Sequence, residues 1–360
     1  MKKVFILTFV WLIVVNIFGV VQVHQEQNIR LEAISIAEPE TYRYATRLGW
    51  NPLATHIRFD SFWFIHTARI GYFFNEEEQF SNITSFPLYP ALIALSAPLL
   101  GGNFIISALI ISLFFLFAST AVLYKYTQKF HPEIPPLRPV IFLLIFPTAF
   151  FLNAAYAESL FLFLSITVFY LARNKYFVRA GFIAGLAALT RPQGVVLLVP
   201  LIVEYVATFG AAGFKKPQWL SFLLIPAAFF GFFLFHWQKF GSPWLFFRVH
   251  EWFGRHPVTL ADGPFWTIIG VIIALFGLAC MYFLLRRFRL SYGLYMVGML
   301  AMPLASRSFM SLSRFLLVIF PIYFVLATIR HVEARYMWIL VSLVLLLVNI
   351  TFFVQGYWAG

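Results

Sequence analysis

Apolar runs close to bilayer length recur along most of the chain, and short basic loops separate them. No other feature limits the fold as strongly. A hydrocarbon layer of about 30 Å takes roughly 20 helical residues to cross, whereas barrel strands would alternate over about ten. Apolar residues fill 61% of the 360 positions and charged residues 11%, and mean hydropathy is +0.84. Such a chain cannot cover itself with polar surface in water, so lipid must be its main solvent. The expected class is an all-α polytopic membrane protein whose first partner is the lipid bilayer.

Spans are expected at 4–23, 103–124, 139–152, 157–173, 178–190, 193–209, 219–238, 264–285, 291–305, 314–329 and 335–354. Lys2 and Lys3 before Val4–Val23 resemble a signal peptide. The run is long enough to cross and no small-x-small cleavage site follows, so it reads as an uncleaved first helix. One long polar stretch, His24–Ser85, holds most of the acids. Phe86–Leu100 is apolar but short, with prolines at 87, 90 and 98. Charge settles its reading. If it does not cross, one side collects fifteen of the 26 basic residues but only three of the 14 acids. The positive-inside rule makes that side cytoplasmic. The expectation is about 11 transmembrane helices, N-terminus in and C-terminus out, forming a single membrane domain over 1–360. Residues 1–23 are its first helix, 24–102 a long first outer loop ending in a half-helix, and 103–360 the bundle.

Several classes are excluded. The net charge of +12 is spread between apolar runs, as topology signals are, so nucleic acid is not a partner. Cys280 is alone, so neither a disulfide within the chain nor a thiolate metal site can form. There is no Walker loop, GxGxxG or HExxH. No internal repeat of the transporter kind is visible, which is weak evidence against a transporter and does not exclude one.

Polar residues on the outer side gather in a few blocks. Arg58-Phe59-Asp60 opens one that runs through His66 and Arg69 to Glu76-Glu77-Glu78. Phe59, Phe62, Trp63 and Phe64 crowd Asp60, which marks a carboxylate held at the lipid–water boundary. Glu76, Glu77 and Glu78 read as a solvated charge run before a metal site, and divalent-metal dependence stays open. Tyr156 and Glu158 lie at one span boundary, and Arg191-Pro192 at the next. Arg191 suits a headgroup anchor and a ligand contact equally. His236 and His250 read as hydrogen-bonding residues near the interface; Arg255, Arg307 and Arg314 complete the outer cations. Asn82-Ile83-Thr84 matches a glycosylation sequon, a pattern common by chance. A carboxylate with several arginines on one membrane face suits a substrate carrying phosphate in a lipid.

In order, these blocks resemble the PIG-V family of mannosyltransferases, which add the second mannose of the GPI anchor. The matching residues are Arg58-Phe59-Asp60 with Gly71-Tyr72, Phe86-Pro87-Leu88-Tyr89-Pro90, Phe146-Pro147-Thr148, Tyr156 through Phe161, Leu189-Thr190-Arg191-Pro192, and Ser313-Arg314-Phe315 with Pro321. Gly241–Arg255 is more similar to the prokaryotic branch. Where the family usually has Trp before the loop aspartate, this chain has Phe59. The resemblance implies a GT-C-type glycosyltransferase. It would move mannose, with inversion, from a polyprenyl-phosphate sugar to a hydroxyl of a glycolipid or glycan acceptor. The reaction would lie on the outer face of a prokaryotic plasma membrane, or the lumenal face of the ER in a eukaryote. Asp60 is the expected general base. Arg191 and Arg314 come first for the departing phosphate, ahead of Arg58, Arg255, Arg307 and His250. Tyr156 and Glu158 would contact sugar or orient an arginine. No cofactor beyond the lipid-linked donor follows from the residues, and protein partners are not indicated. The competing readings are a lipid-linked-sugar flippase and a non-catalytic subunit of a glycosylation complex.

Overall fold

The computed structural model describes residues 1–25, 55–252, 264–305 and 311–359. These are mostly helical. Among the described residues the only strands are β1 (Phe74–Asn75) and β2 (Phe80–Ser81), an antiparallel pair around the Glu76–Glu78 turn. Six helices among the described residues are long and apolar enough to cross a membrane alone: 2–22, 104–130, 192–209, 217–240, 267–287 and 332–354.

The other expected spans are short or broken elements, and proline explains the clearest cases. The stretch 139–152 divides into α5 (Leu137–Leu144) and a 3₁₀ turn at Ala149–Leu152, with Pro147 between them. The stretch 314–329 divides into α13 (Leu312–Leu317) and α14 (Ile322–Ala327) at Pro321. Proline has no amide hydrogen and clashes with the preceding turn. Lipid could not satisfy the freed backbone, but these segments are buried in protein, where partners exist. Asn349 Nδ2 donates to the Pro147 carbonyl at 3.0 Å, and Thr148 Oγ1 donates to the Ser313 carbonyl at 3.1 Å.

Phe86–Leu100 forms α3 (Leu88–Ser96) and one 3₁₀ turn, then reverses at Gly101-Gly102 into α4 (Phe104–Phe130). Both glycines have positive φ, +67° and +79°, which a side chain would resist. Asn103 caps α4 by accepting the Ile106 amide at 2.9 Å. Small hydroxyls line the contact between α3 and α4: Ser96 meets Ser107 at 2.6 Å, and the Tyr89 phenol meets Ser112 at 2.7 Å. Without a hydrophobic force between helices in lipid, such close-packing polar contacts hold them together.

Along its length α4 also carries α6 (Glu158–Arg173). Ser112 Oγ donates to the Tyr156 carbonyl, and Ser119 Oγ donates to the Ser159 carbonyl. At 1.5 Å per residue, Ser112 lies about 13 Å down α4 from its cap. The first residue of α6 is therefore recessed below the α3–α4 turn, which explains why α6 has only 16 residues. Helix α15 (Val332–Val354) shows the outer wall. Met337, Leu340, Val341, Val344, Leu345 and Val348 are exposed along one stripe, while Ser342, Leu346, Ile350 and Phe353 face inward. That stripe is apolar surface for lipid.

Candidate active site

Four charged side chains from four separate segments meet at the recess. Arg314 Nη1 donates to Asp60 Oδ2 at 2.6 Å. Arg314 Nε lies 3.2 Å from Glu158 Oε1, and Arg191 Nη1 donates to the same oxygen at 2.8 Å. The order is Asp60, Arg314, Glu158, Arg191: two carboxylates and two guanidiniums, neutral in sum. Glu158 is 2% exposed, Arg314 5% and Arg191 10%, whereas the Asp60 side chain is 41% exposed. Three members are thus a buried scaffold, and the fourth meets solvent.

Local backbone aims each residue. Asp60 begins α2 (Asp60–Ile70), where the helix dipole favours a carboxylate. The residue before it, Phe59, has φ +53°. For a bulky residue this backbone is strained by about 1–3 kcal/mol. Aromatic packing holds it: the Phe59 ring meets Trp358 edge-on at 5.0 Å and Phe353 at 5.9 Å. Ser311, just before α13, has φ +65°, so a second strained residue precedes the helix that carries Arg314. Arg191 is set by a tight turn against α7 (Phe177–Ala188). A Cβ on Gly194 would lie 2.3 Å from the Ala187 carbonyl oxygen, so only glycine allows that approach. Glu158 stands in the first turn of α6, again at the favourable dipole end.

Aromatic rings enclose the guanidiniums. Arg314 lies over Trp358 at 5.1 Å and over Phe151 and Tyr156 at 5.5 Å; Arg191 lies over Phe315 at 5.4 Å. Such faces favour cations and keep water away. Trp358 was not among the sequence candidates. Only its place in an aromatic pair after the last span hinted at it. It brings an indole edge-on against Phe59.

The other candidates lie elsewhere. Arg58 is not part of the network. Its Nε and Nη2 donate to the Val354 carbonyl at 3.3 and 3.0 Å, and Nη1 donates to its neighbour Ile57. It ties the end of α15 to the Asp60 loop by satisfying a carbonyl the helix leaves open. Tyr156 donates to the Arg58 carbonyl at 2.9 Å, and burial raises its phenol well above the usual range, so it stays protonated. His56 is also neutral; burial, helped by the Arg58 charge, lowers it to about 4. His250 lies on α10 (Leu245–Trp252), its Nδ1 donating to the Phe246 carbonyl at 2.8 Å, beside the β-hairpin and not in the network. Arg255 and Arg307 lie outside the described residues.

The structure bears on three further sequence readings, of which it corrects the last. Glu76 pairs with Arg248 at 2.6 Å, and among the described residues no cluster of three or more His, Cys, Asp or Glu could hold a metal. The Glu76–Glu78 run is an exposed turn. Asn82 is fully buried; it accepts the Phe73 amide and donates to the Gly71 carbonyl, so it pins the hairpin and cannot accept a glycan. His236 is fully buried among Tyr72, Phe232, Phe235 and Phe240, and neither ring nitrogen has a hydrogen-bond partner among the described residues.

An all-helical membrane bundle with a recessed carboxylate–arginine network at one end is the setting of a membrane-embedded group-transfer enzyme. The sequence profile described as "Mannosyltransferase (PIG-V)" matches residues 3–237, and the chain belongs to that family. It is a membrane glycosyltransferase of the mannosyltransferase type. The match includes Asp60, Tyr156, Glu158 and Arg191; Arg314 lies beyond it and joins them through space. Comparisons with curated proteins and with solved structures give no significant match.

Proposed function

We propose that the protein transfers mannose from a polyprenyl-phosphate donor to a hydroxyl of a glycolipid or glycan, with inversion, on the outer face of a prokaryotic plasma membrane. The observation that carries this reading is the exposure of Asp60 beside buried arginines. An acceptor hydroxyl can reach Asp60, which is the one network carboxylate open to solvent. The acceptor oxygen bonds to the anomeric carbon as the carbon–phosphate-oxygen bond breaks. The acceptor proton passes to Asp60, and the departing lipid phosphate takes the bonding pair. Arg314, and Arg191 behind it, supply positive charge where that negative charge develops. Glu158 holds both arginines in place and does not meet substrate. The apolar faces of the outer helices suit the polyprenyl tail. The direct test is sugar transfer by the purified chain alone from a synthetic polyprenyl-phosphate mannose in reconstituted membranes. No turnover by the isolated, folded chain would favour the subunit reading.

Two further results are expected. Arg191→Lys and Arg314→Lys keep the charge but lose the guanidinium fork. A lost charge-assisted hydrogen bond costs about 1.5–3 kcal/mol, so kcat/KM for the donor should fall about 10–100-fold, while Lys125→Ala should leave it unchanged. Donor kinetics that match wild type in both lysine variants would leave the arginines as packing groups. For sidedness, Gln79 and Gln128 are both exposed, the first in the hairpin turn and the second in the last turn of α4. In cells, cysteine placed at 79 should react with impermeant external reagents, and cysteine at 128 should not. The opposite pattern would turn the protein over.

A further inference from the structure

A second polar centre lies at the opposite end of the bundle. Glu158 begins α6 in the network, and Arg173 ends α6 at this other centre. Fifteen rises of 1.5 Å separate them by about 22 Å. Helix α15 repeats the relation: its last carbonyl meets Arg58 near the network, and Arg335 stands in its first turn. At this far end a cavity of about 690 Å³ is lined by Arg138, Arg173, Arg287, Arg289, Arg330 and Arg335.

Arginines at helix ends on a cytoplasmic face have an ordinary explanation in topology and helix dipoles. Here six of them line one cavity, and some are held in place; Arg287 and Arg335 also lie 5.9 and 5.8 Å from the exposed Phe283 and Tyr336 rings. Arg138 Nη1 donates to the Ala327 carbonyl at 3.0 Å. Arg173 donates to the Tyr292 phenol at 3.2 Å and lies 4.5 Å over the Phe130 ring. Arg289 is neutralised, because both Glu204 oxygens accept from it at 2.8 Å. Among the described residues no carboxylate is within ion-pair distance of the other five. The one lining carboxylate, Glu133, is 61% exposed and turned to His131. Five like charges around one cavity repel, and an anion inside it would reverse that repulsion. Guanidiniums suit phosphate in particular, since their forked donors match its oxygens. The volume lies in the usual range of about 300–1,000 Å³ for small-molecule sites, which is more than a bare phosphate needs.

We propose that this cavity binds a phosphate group borne by a larger molecule, either an anionic lipid headgroup or a soluble phosphate ester. The transferase reading plays no part in this argument, and either can fail alone.

The test uses the full-length protein and two probes. Inorganic phosphate is titrated against protein in neutral detergent, and retention of phosphatidylglycerol against phosphatidylcholine is read by native mass spectrometry. Arg330→Gln with Arg335→Gln should weaken the bound probe about tenfold or more, because two charge-assisted partners are lost. Lys215→Gln with Lys216→Gln removes the same charge away from the cavity lining and should change nothing. If the arginine pair fails to fold, Arg335→Gln alone carries the test with the same readouts. Binding of phosphate alone identifies a soluble ligand, and selective retention of phosphatidylglycerol identifies a headgroup. Binding of neither probe, or equal weakening by the arginine and lysine pairs, overturns the proposal.

Discussion

Asp60→Asn is expected to abolish sugar transfer while leaving the protein folded in the membrane. Asparagine keeps the size of the side chain and an oxygen that can accept from Arg314 Nη1, now 2.6 Å away. It cannot take a proton at neutral pH. Loss of a general base costs about 10²–10⁴-fold in rate, which is about 3–5 kcal/mol of barrier. Stability should fall less than on loss of Glu158: one carboxylate then serves both guanidiniums, but Asp60 is the most exposed member of the network, and Glu158 stays 3.2 Å from Arg314. Asp60→Glu should fare nearly as badly. Its extra methylene moves the carboxylate by about an ångström, and misplacement on that scale can cost about 100-fold. The measurement is turnover of a synthetic polyprenyl-phosphate mannose, with thermal unfolding in detergent as the folding control. More than about a tenth of wild-type turnover in Asp60→Asn, outside the range for a lost base, would remove Asp60 from the mechanism.

The residues that meet in the network were legible as chemical types, but their pairing was not. Asp60 and Arg314 are 254 positions apart, and only the tertiary fold decides that they touch. Adjacency misled in the opposite direction at Arg58, two residues from Asp60. The positive φ of Phe59 redirects the chain between them, and Arg58 turns to the end of α15. Span counting has a similar limit. Hydropathy reads 314–329 as one apolar run, yet Pro321 divides it, because a buried broken segment and a lipid-facing helix share the same apolar composition. The shortness of α6 was visible, but its cause was not, since the recess depends on how α3 and α4 stand beside it. Trp358 gives no local signal of its part in enclosing Arg314. The six arginines at the far end were visible as a topology signal, but their convergence on one cavity needed the fold.

Glu158→Gln should have the opposite profile to Asp60→Asn: a large loss of stability, with activity lost as a consequence. Glu158 is 2% exposed, and Oε1 meets both Arg191 and Arg314. Glutamine preserves the shape and one acceptor oxygen but removes the charge. Two buried guanidiniums would then face only Asp60. Removing one partner of a buried ion pair costs about 3–5 kcal/mol, because a desolvated charge is left uncompensated. Gains from surrounding rings do not replace a carboxylate; cation–π contacts supply about 0.5–2 kcal/mol. The test is unfolding by SDS titration in mixed micelles, compared with wild type and Asp60→Asn. A second variant separates lost charge balance from lost packing. Glu158→Gln with Arg191→Gln removes one charge of each sign, so it should be less destabilised than the two single variants added together. Contacting members of one network show coupling of about 0.5–3 kcal/mol in such cycles. Additive losses would mean that Glu158 and Arg191 act independently, and a Glu158→Gln protein as stable as wild type would show that this carboxylate does not hold the arginines.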